Sequence, residues 1–430
     1  MRTVILGAGM TGLAAGRASG GTVYEAAAAP GGICSSYYMV PGDARPHPER
    51  PGAAAYRFEV GGGHWIFGGD PAVLALIDRL AGARRYERRS SVFFPEDKLR
   101  VPYPLQNHLR HLGPDVAARA LAEMTDAVGG PPAVTLQDWL RRTFGRTLCD
   151  LFFDPFHALY TGGLHARIAP QDGYKSPVDL KTAVAGAFAG TAAVGYNATF
   201  VYPPAGLDGL ARALAGGCRV EYGRRAVSID ARARTVGFAD GGSVEYDRLI
   251  STLPLNTALA IARLDAGPPD PCTSVLVLNI GARRAGLCPD DHWVYVPRSR
   301  AGFHRVGFYS NVDGSFLPEP RREDLVSIYV ERAHGHGARP DAGAIARYAE
   351  AVVAELQDWG FIGDAEVVHP TWIDVAYTWA WPGSRWRADA LQLLDEHGIT
   401  QVGRYGRWTF QGIADSIRDG LYVGASLAGD

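Results

Sequence analysis

The string Gly7-Ala8-Gly9-Met10-Thr11-Gly12 constrains this chain more than any other. On its own, G-x-G-x-x-G is a weak signal in a protein with 53 glycines. Its surroundings give it weight. The apolar run TVIL (3–6) precedes it, a helical stretch (11–19) follows, and TVYE (22–25) reads as a second strand ending on Glu25. This is the opening of a βαβ dinucleotide-binding unit. Gly7 permits the tight turn, Gly9 the approach of a pyrophosphate to the backbone, and Gly12 the close packing of helix on strand. The helix start, with Thr11 in its first turn, offers free N–H groups and its dipole to phosphate. Glu25 is placed to accept hydrogen bonds from a ribose 2′-hydroxyl and to repel a 2′-phosphate. At this point NAD and FAD both fit.

Gly31-Gly32 follows Glu25 in the string EAAAAPGGIC. Motif, acid and glycine pair in this order resemble the opening of the FAD enzymes that include amine oxidases, protoporphyrinogen oxidase and UDP-galactopyranose mutase. The resemblance implies FAD, with the Gly31-Gly32 loop near its pyrophosphate. Later segments resemble the mutase branch. FEVGGGHWIF (58–67) is similar to a loop beside the isoalloxazine, which implies flavin contacts for Gly62, Gly63, His64 and Trp65, with His64 also catalytic. Ala158-Leu159-Tyr160-Thr161 resembles a stretch whose tyrosine binds the substrate diphosphate, so Tyr160 is expected at the substrate and in catalysis. His165 stands where that branch has a tryptophan stacking on uridine or sugar. GRYGRWTFQG (403–412) resembles the G-R-x-G-x-Y-x-Y signature, implying cofactor contacts for Gly403, Arg404, Gly412 and Ile413. Phe410 takes the place of its second tyrosine, at the substrate. FHRV (303–306), followed by Ser310-Asn311, resembles the segment whose arginine neutralises the diphosphate, so Arg305 is expected at the substrate and in catalysis. A guanidinium suits the task because its planar donors bond two oxygens at once. Val227, in the strand AVSIDA, is a further expected cofactor contact, while Tyr196, Asn197 and Tyr377 are expected to line the substrate cleft.

With 47% hydrophobic and 20% charged residues, the chain has the balance of a globular protein with a real core, which excludes a disordered or fibrous class. Its 43 basic and 45 acidic side chains nearly cancel, so no global field draws it to nucleic acid or an anionic membrane. An anionic ligand must be met by local arginines; lysine occurs only at 98, 175 and 181. Cysteines at 34, 149, 218, 272 and 288 form no C-x-x-C, which argues against a disulfide framework or a metal site and for a reducing compartment. The start MRTVILGAGM reads as a strand without a signal-peptide layout, and the longest low-polarity run (183–196) is too short to span a bilayer. A cytoplasmic location is expected.

Helical patterns fill 71–80 and 104–160, and 36–57 reads as an exposed Pro/Gly-rich loop. Short strands recur over 219–250 and at 274–281, 292–297, 303–309 and 325–331; a helix is expected over 343–357, and strand, glycine turn and helix close the chain. The expected fold class is α/β: a discontinuous Rossmann-type FAD-binding domain (1–70, 203–265 and 396–430), a mainly helical insertion (71–202) and an antiparallel-sheet substrate domain (266–395).

The chain contains no H-E-x-x-H, G-x-S-x-G or P-loop. Two chemistries stay open. The mutase resemblance implies a nucleotide-activated sugar, an anionic small molecule, attacked by N5 of reduced FAD and reclosed in another ring form without net redox change. The alternative is a net oxidoreductase that takes hydride from an amine, alcohol or sugar carbon. The missing tryptophan and second tyrosine count for this second chemistry.

Overall fold

The computed structural model describes residues 1–126, 132–171, 173, 179–190, 195, 197–319 and 322–427. Strand Thr3–Leu6 lies at the middle of a five-stranded parallel sheet, between Thr22–Tyr24 and Arg248–Ser251, with Arg219–Glu221 and Ile399–Gln401 at the edges. Val4, Ile5 and Leu6 are all buried, the pattern of a strand covered on both faces. Helix Met10–Ser19 covers one face and packs along the last helix, Ile413–Ser426. Small residues make that approach close: a Cβ on Gly420 would stand 2.2 Å from the Thr11 carbonyl oxygen.

A second, seven-stranded sheet has the order Ile362–Thr378, Cys272–Arg284, Leu325–Gly335, Arg305–Phe308, Trp293–Tyr295, Ser90–Phe94 and Leu99–Pro102. It is antiparallel apart from the parallel pair formed by Trp293–Tyr295 and Ser90–Phe94. Along Cys272–Arg284 the side chains alternate: Leu276, Leu278 and Ile280 pack under helix Ala342–Asp358, while Val275 and Val277 face the core on the other side, Val277 beside Gly62.

Four strands, Arg84–Glu87, Ser90–Phe94, Leu99–Pro102 and Thr199–Tyr202, lie inside the stretch read as mainly helical. Ser90–Phe94 is buried on both faces, so no alternation marks it. The 36–57 loop also differs from expectation: its ends, Ser36–Met39 and Tyr56–Glu59, are buried paired strands, and only the stretch between them is exposed. Strand Ile362–Thr378 and helix Trp386–Glu396 were not legible, the former because bulges and Pro370 break its period.

In the helical layer, helix Leu136–Leu148 begins at Thr135, whose hydroxyl and Asp138 form a capping box. Leu136, Leu140, Phe144 and Leu148 turn one face of that helix inward. Gly145, at φ 74°, and the π-turn Cys149–Phe153 then re-phase the chain. This shift aims Phe152, Phe153 and Phe156 at the site described below. No helix among the described residues is long and apolar enough to cross a membrane.

Candidate active site

The first strand ends in Gly7 at φ 96°, where a Cβ would meet Thr252 Oγ1 at 2.4 Å. Gly7 N donates to the Tyr24 carbonyl (2.9 Å). A Cβ on Gly12 would lie 1.9 Å from the Gly7 carbonyl oxygen, so the helix touches the strand's exit only because position 12 lacks a side chain. At Gly9 the reverse holds: a Cβ there would meet nothing within 4 Å. Gly9 backs onto a cradle open to a cavity. Gly31 N donates to the Ala8 carbonyl (2.8 Å), pairing Gly31, at φ 112°, with Gly9 and folding the glycine loop over the helix start. Glu25 Oε2 accepts from Ala8 N (2.7 Å) and Oε1 from Ala27 N (2.8 Å), which holds the carboxylate at the cradle's rim. The helices starting at Met10 and Ile413 carry no side-chain cap, and both begin on the cavity wall. Two uncapped helix starts, a rim carboxylate and a backbone cradle suit a pyrophosphate and its ribose. The residues present fit FAD.

The cavity has a volume of about 440 Å³. Gly7, Gly9, Thr11, Glu25, Gly31 and Gly32 line its cradle end, Gly63, His64, Trp65, Arg404, Gly412 and Ile413 its middle, and Tyr160, Asn197, Arg305, Tyr377 and Phe410 the far lobe. Gly12, Gly62 and Gly403 stand behind the wall as spacers: Cβ atoms on the last two would meet Glu331 Oε1 at 2.9 Å and Thr11 Oγ1 at 2.5 Å. Two expected contacts fall elsewhere. Val227 is 47% exposed on the separate three-stranded sheet that begins with Ala226–Asp230, and it is not part of the wall. His165 is buried behind the lobe, its Nε2 3.5 Å from Gln137 Nε2, where the helical layer packs. Tyr196 lies outside the described residues.

A flavin-containing amine oxidoreductase family model matches residues 16–275. The chain belongs to that family. This flavoenzyme uses FAD, in keeping with the cradle. Its fold is similar to that of solved structures. A reduced UDP-galactopyranose mutase has TM-score 0.84 and 22% identity, over 98% of this chain and 94% of the other. A protoporphyrinogen oxidase candidate from Exiguobacterium has TM-score 0.72 and 14% identity over 99% and 98%. A putrescine oxidase has TM-score 0.60 and 17% identity over 100% and 99%.

In this flavoenzyme Arg305 is held by Glu331, its direct cross-strand neighbour: Nε–Oε2 is 3.1 Å, Nη2–Oε1 2.5 Å and Nη2–Oε2 2.6 Å. The guanidinium overcomes Glu331's burial and draws its carboxyl down to about 2. Arg404 donates to the Gln411 carbonyl (3.1 Å) and the Ala376 carbonyl (3.2 Å), and it lies 4.7 Å from the centre of the Phe410 ring. Burial, reinforced by Arg404, pushes the His64 imidazole down to about 4, so it is neutral at pH 7. Tyr160 packs edge-on against Tyr377, with ring centres 4.7 Å apart.

Behind the loop that carries His64 sits a buried polar network. Glu59 is 0% exposed and accepts from Ser36 Oγ (2.9 Å) and the Tyr202 hydroxyl. Asn279 Nδ2 donates to the Glu59 carbonyl (3.1 Å) and Tyr37 (2.9 Å), and Tyr309 donates to Asn279 Oδ1 (3.0 Å). Desolvation raises the Glu59 carboxyl to about 7 against the opposing pull of Arg57 and the Tyr202 hydrogen bond. Sequence reading missed Glu59, Glu331 and His304, together with the aromatic wall of Phe152, Phe156 and Tyr295. The segment FHRV was singled out for Arg305 alone, and the helical pattern around LFFDPFHALY was the only trace of the wall.

Proposed function

We propose that this flavoenzyme acts on a nucleotide-activated sugar as a mutase-type isomerase, interconverting ring forms of the sugar without net redox change. The charge on the cavity wall supports this reading. Glu25, at the ribose end of the cradle, is the only carboxylate among the described wall residues, whereas the middle and far lobe carry the guanidiniums of Arg404 and Arg305. Such a wall suits an anion and would leave an amine cation without a counter-charge. Glu331 takes Nε and Nη2 of Arg305, so Nη1, which has no hydrogen bond among the described residues, is the donor left for the substrate's diphosphate.

When bound, reduced FAD supplies a nucleophilic N5. The protein's part is orientation. Tyr160 and Tyr377 form an edge-packed aromatic pair against which a sugar face rests. His64, neutral, holds a hydrogen bond without adding charge beside Arg404. Asn197, whose Oδ1 accepts from Arg88, is fixed at the lobe's rim. The aromatic rings around the lobe exclude water from the reacting sugar.

A second reading, net hydride transfer from a neutral alcohol or sugar carbon, is favoured by the neutralisation of Arg305 by Glu331. One experiment separates the two. Holoenzyme is incubated anaerobically with a panel of UDP-hexoses, with and without dithionite, and both products and the oxidised-flavin band are followed. Product only from reduced enzyme is expected. Bleaching of oxidised flavin by substrate, with a more oxidised product, would establish the second reading and remove the first.

A further inference from the structure

On strand Leu325–Gly335, Ile328 and Val330 pack with the core under helix Ala342–Asp358, and Tyr329 and Glu331 point the other way. Directly opposite these two on the neighbouring strand stand Gly307 and Arg305. The Arg305–Glu331 ion pair therefore has, as its next neighbour on the same face, a glycine facing a tyrosine that is 0% exposed. A glycine inside a strand marks a close approach, and here the approaching group is the Tyr329 ring: a Cβ on Gly307 would lie 1.9 Å from Tyr329 Cζ. The same end of the ring meets a second glycine on a distant segment. A Cβ on Gly63 would stand 2.2 Å from Tyr329 Cζ and 2.0 Å from its Oη, and one on Gly62 would be 3.4 Å from Cδ2.

Tyr329 is thus a wedge between two glycine walls. Gly63 leads straight into His64 and Trp65, which line the middle of the cavity. Gly307 stands two residues from Arg305, whose guanidinium carbon lies 5.6 Å from the centre of the Tyr329 ring. Glu331 joins the two walls a second time, since the Oε1 that holds Arg305 would also meet a Cβ on Gly62 at 2.9 Å. The Tyr329 hydroxyl makes no hydrogen bond among the described residues, so what it contributes is the shape of the ring. Neither glycine has a side chain with which to fill the space if that ring is lost, and a packed interior then relaxes by moving backbone. Such movement reaches the His64–Trp65 wall and Arg305 together.

We propose that Tyr329 is a positioning residue that fixes the spacing between the two halves of the site: the His64–Trp65 wall at the flavin and the Arg305 guanidinium at the anion. The inference rests on the nucleotide-sugar reading above and extends it to a residue that does not line the cavity.

The test uses holoenzyme as wild type, Tyr329→Phe, Tyr329→Leu and Ile328→Ala, the last a core truncation on the strand's other face that calibrates lost stability. Two quantities are read: the visible circular dichroism of the bound flavin without ligand, and the affinity for UDP from the change it causes in the flavin spectrum. Tyr329→Leu is expected to alter the flavin dichroism and to weaken UDP roughly tenfold. Tyr329→Phe, which keeps the wedge, and Ile328→Ala are expected to keep the wild-type flavin signal and to bind UDP within about twofold. The inference is overturned if Tyr329→Leu moves neither quantity or only one, or if Tyr329→Phe or Ile328→Ala moves both as far. Should Tyr329→Leu not retain flavin, Gly307→Ala takes its place: the added Cβ drives the ring toward Gly63, and the same paired change is expected. Wild-type enzyme that binds no UDP removes the nucleotide-sugar reading. Inorganic pyrophosphate then becomes the probe of Arg305 under the same criteria, and a wild type indifferent to both anions overturns the inference as well.

Discussion

Replacing Glu59 by glutamine keeps the side chain's shape and an acceptor for the Tyr202 hydroxyl, with the Ser36 hydroxyl turning to accept from the amide, but removes its titration. In the folded protein this carboxyl is raised from 4.5 to about 7, because burial outweighs Arg57 and the Tyr202 hydroxyl. Between those two values the native state holds a proton that the unfolded state has released, so stability falls as pH rises through the window. Below 4.5 the full stability is present, and above 7 the cost of an ionised buried carboxylate is complete. At ~1.36 kcal/mol per decade, that cost is ~3 kcal/mol. A chain of 430 residues has an unfolding entropy of about 0.9 kcal/mol/K, so the difference corresponds to ~3–4 °C in Tm. The assay is a thermal melt of wild-type and Glu59→Gln holoenzyme from pH 4.5 to 8, with FAD in constant excess so that cofactor linkage is equal in both. The variant is expected to gain on the wild type by ~3–4 °C across the range. Parallel curves would show that Arg57 compensates the ionised form, and would refute the reasoning.

The second buried glutamate has the opposite sign. Glu331, drawn down to about 2, contributes stability above 4.5 that is lost as pH falls toward 2, and Arg305→Leu should abolish this acid sensitivity and cost ~3–5 kcal/mol at pH 7, read by the same melts. Gly9→Val is expected to fold normally, since a Cβ there meets nothing, yet to purify without flavin; a wild-type circular dichroism spectrum with a collapsed flavin-to-protein absorbance ratio checks both halves. Gly12→Ala, which forces a Cβ to 1.9 Å from the Gly7 carbonyl oxygen, should instead lower the Tm as well as flavin content. Glu25→Ala removes the acceptor of the Ala8 and Ala27 N–H groups and the acceptor proposed for the ribose, and FAD titration of the apoprotein should show affinity falling ~10–100-fold.

Much of the cofactor end was legible because its chemistry is local in the chain. A turn that needs a left-handed Gly7, a helix that needs no side chain at 12 and an acid at the end of the next strand are written within the first 25 residues. The Gly31-Gly32 pair and the segment ending in Phe410 were legible as motifs too, although Gly31 closes on the Ala8 carbonyl and Arg404 also reaches the Ala376 carbonyl. The far lobe was legible only as loose motifs. His165 and Val227 show the limit: the one is packed behind the wall and the other stands on a separate small sheet, and neither outcome is visible in neighbouring residues.

What the sequence determined by itself is thus the dinucleotide cradle and the family to which it belongs. The tertiary structure decided the electrostatics. Arg305 meets Glu331 only because strands Arg305–Phe308 and Leu325–Gly335 pair in one register, and Glu59 meets Tyr202 across 143 residues of chain. The π-turn that aims Phe152 and Phe156 at the cavity depends likewise on how the helical layer packs. Turn conformation is dictated by the residues that make the turn, whereas register and packing are set by burial summed over whole sheets and layers. A single slip of one residue would move Glu331 to the other face and leave Arg305 without its carboxylate.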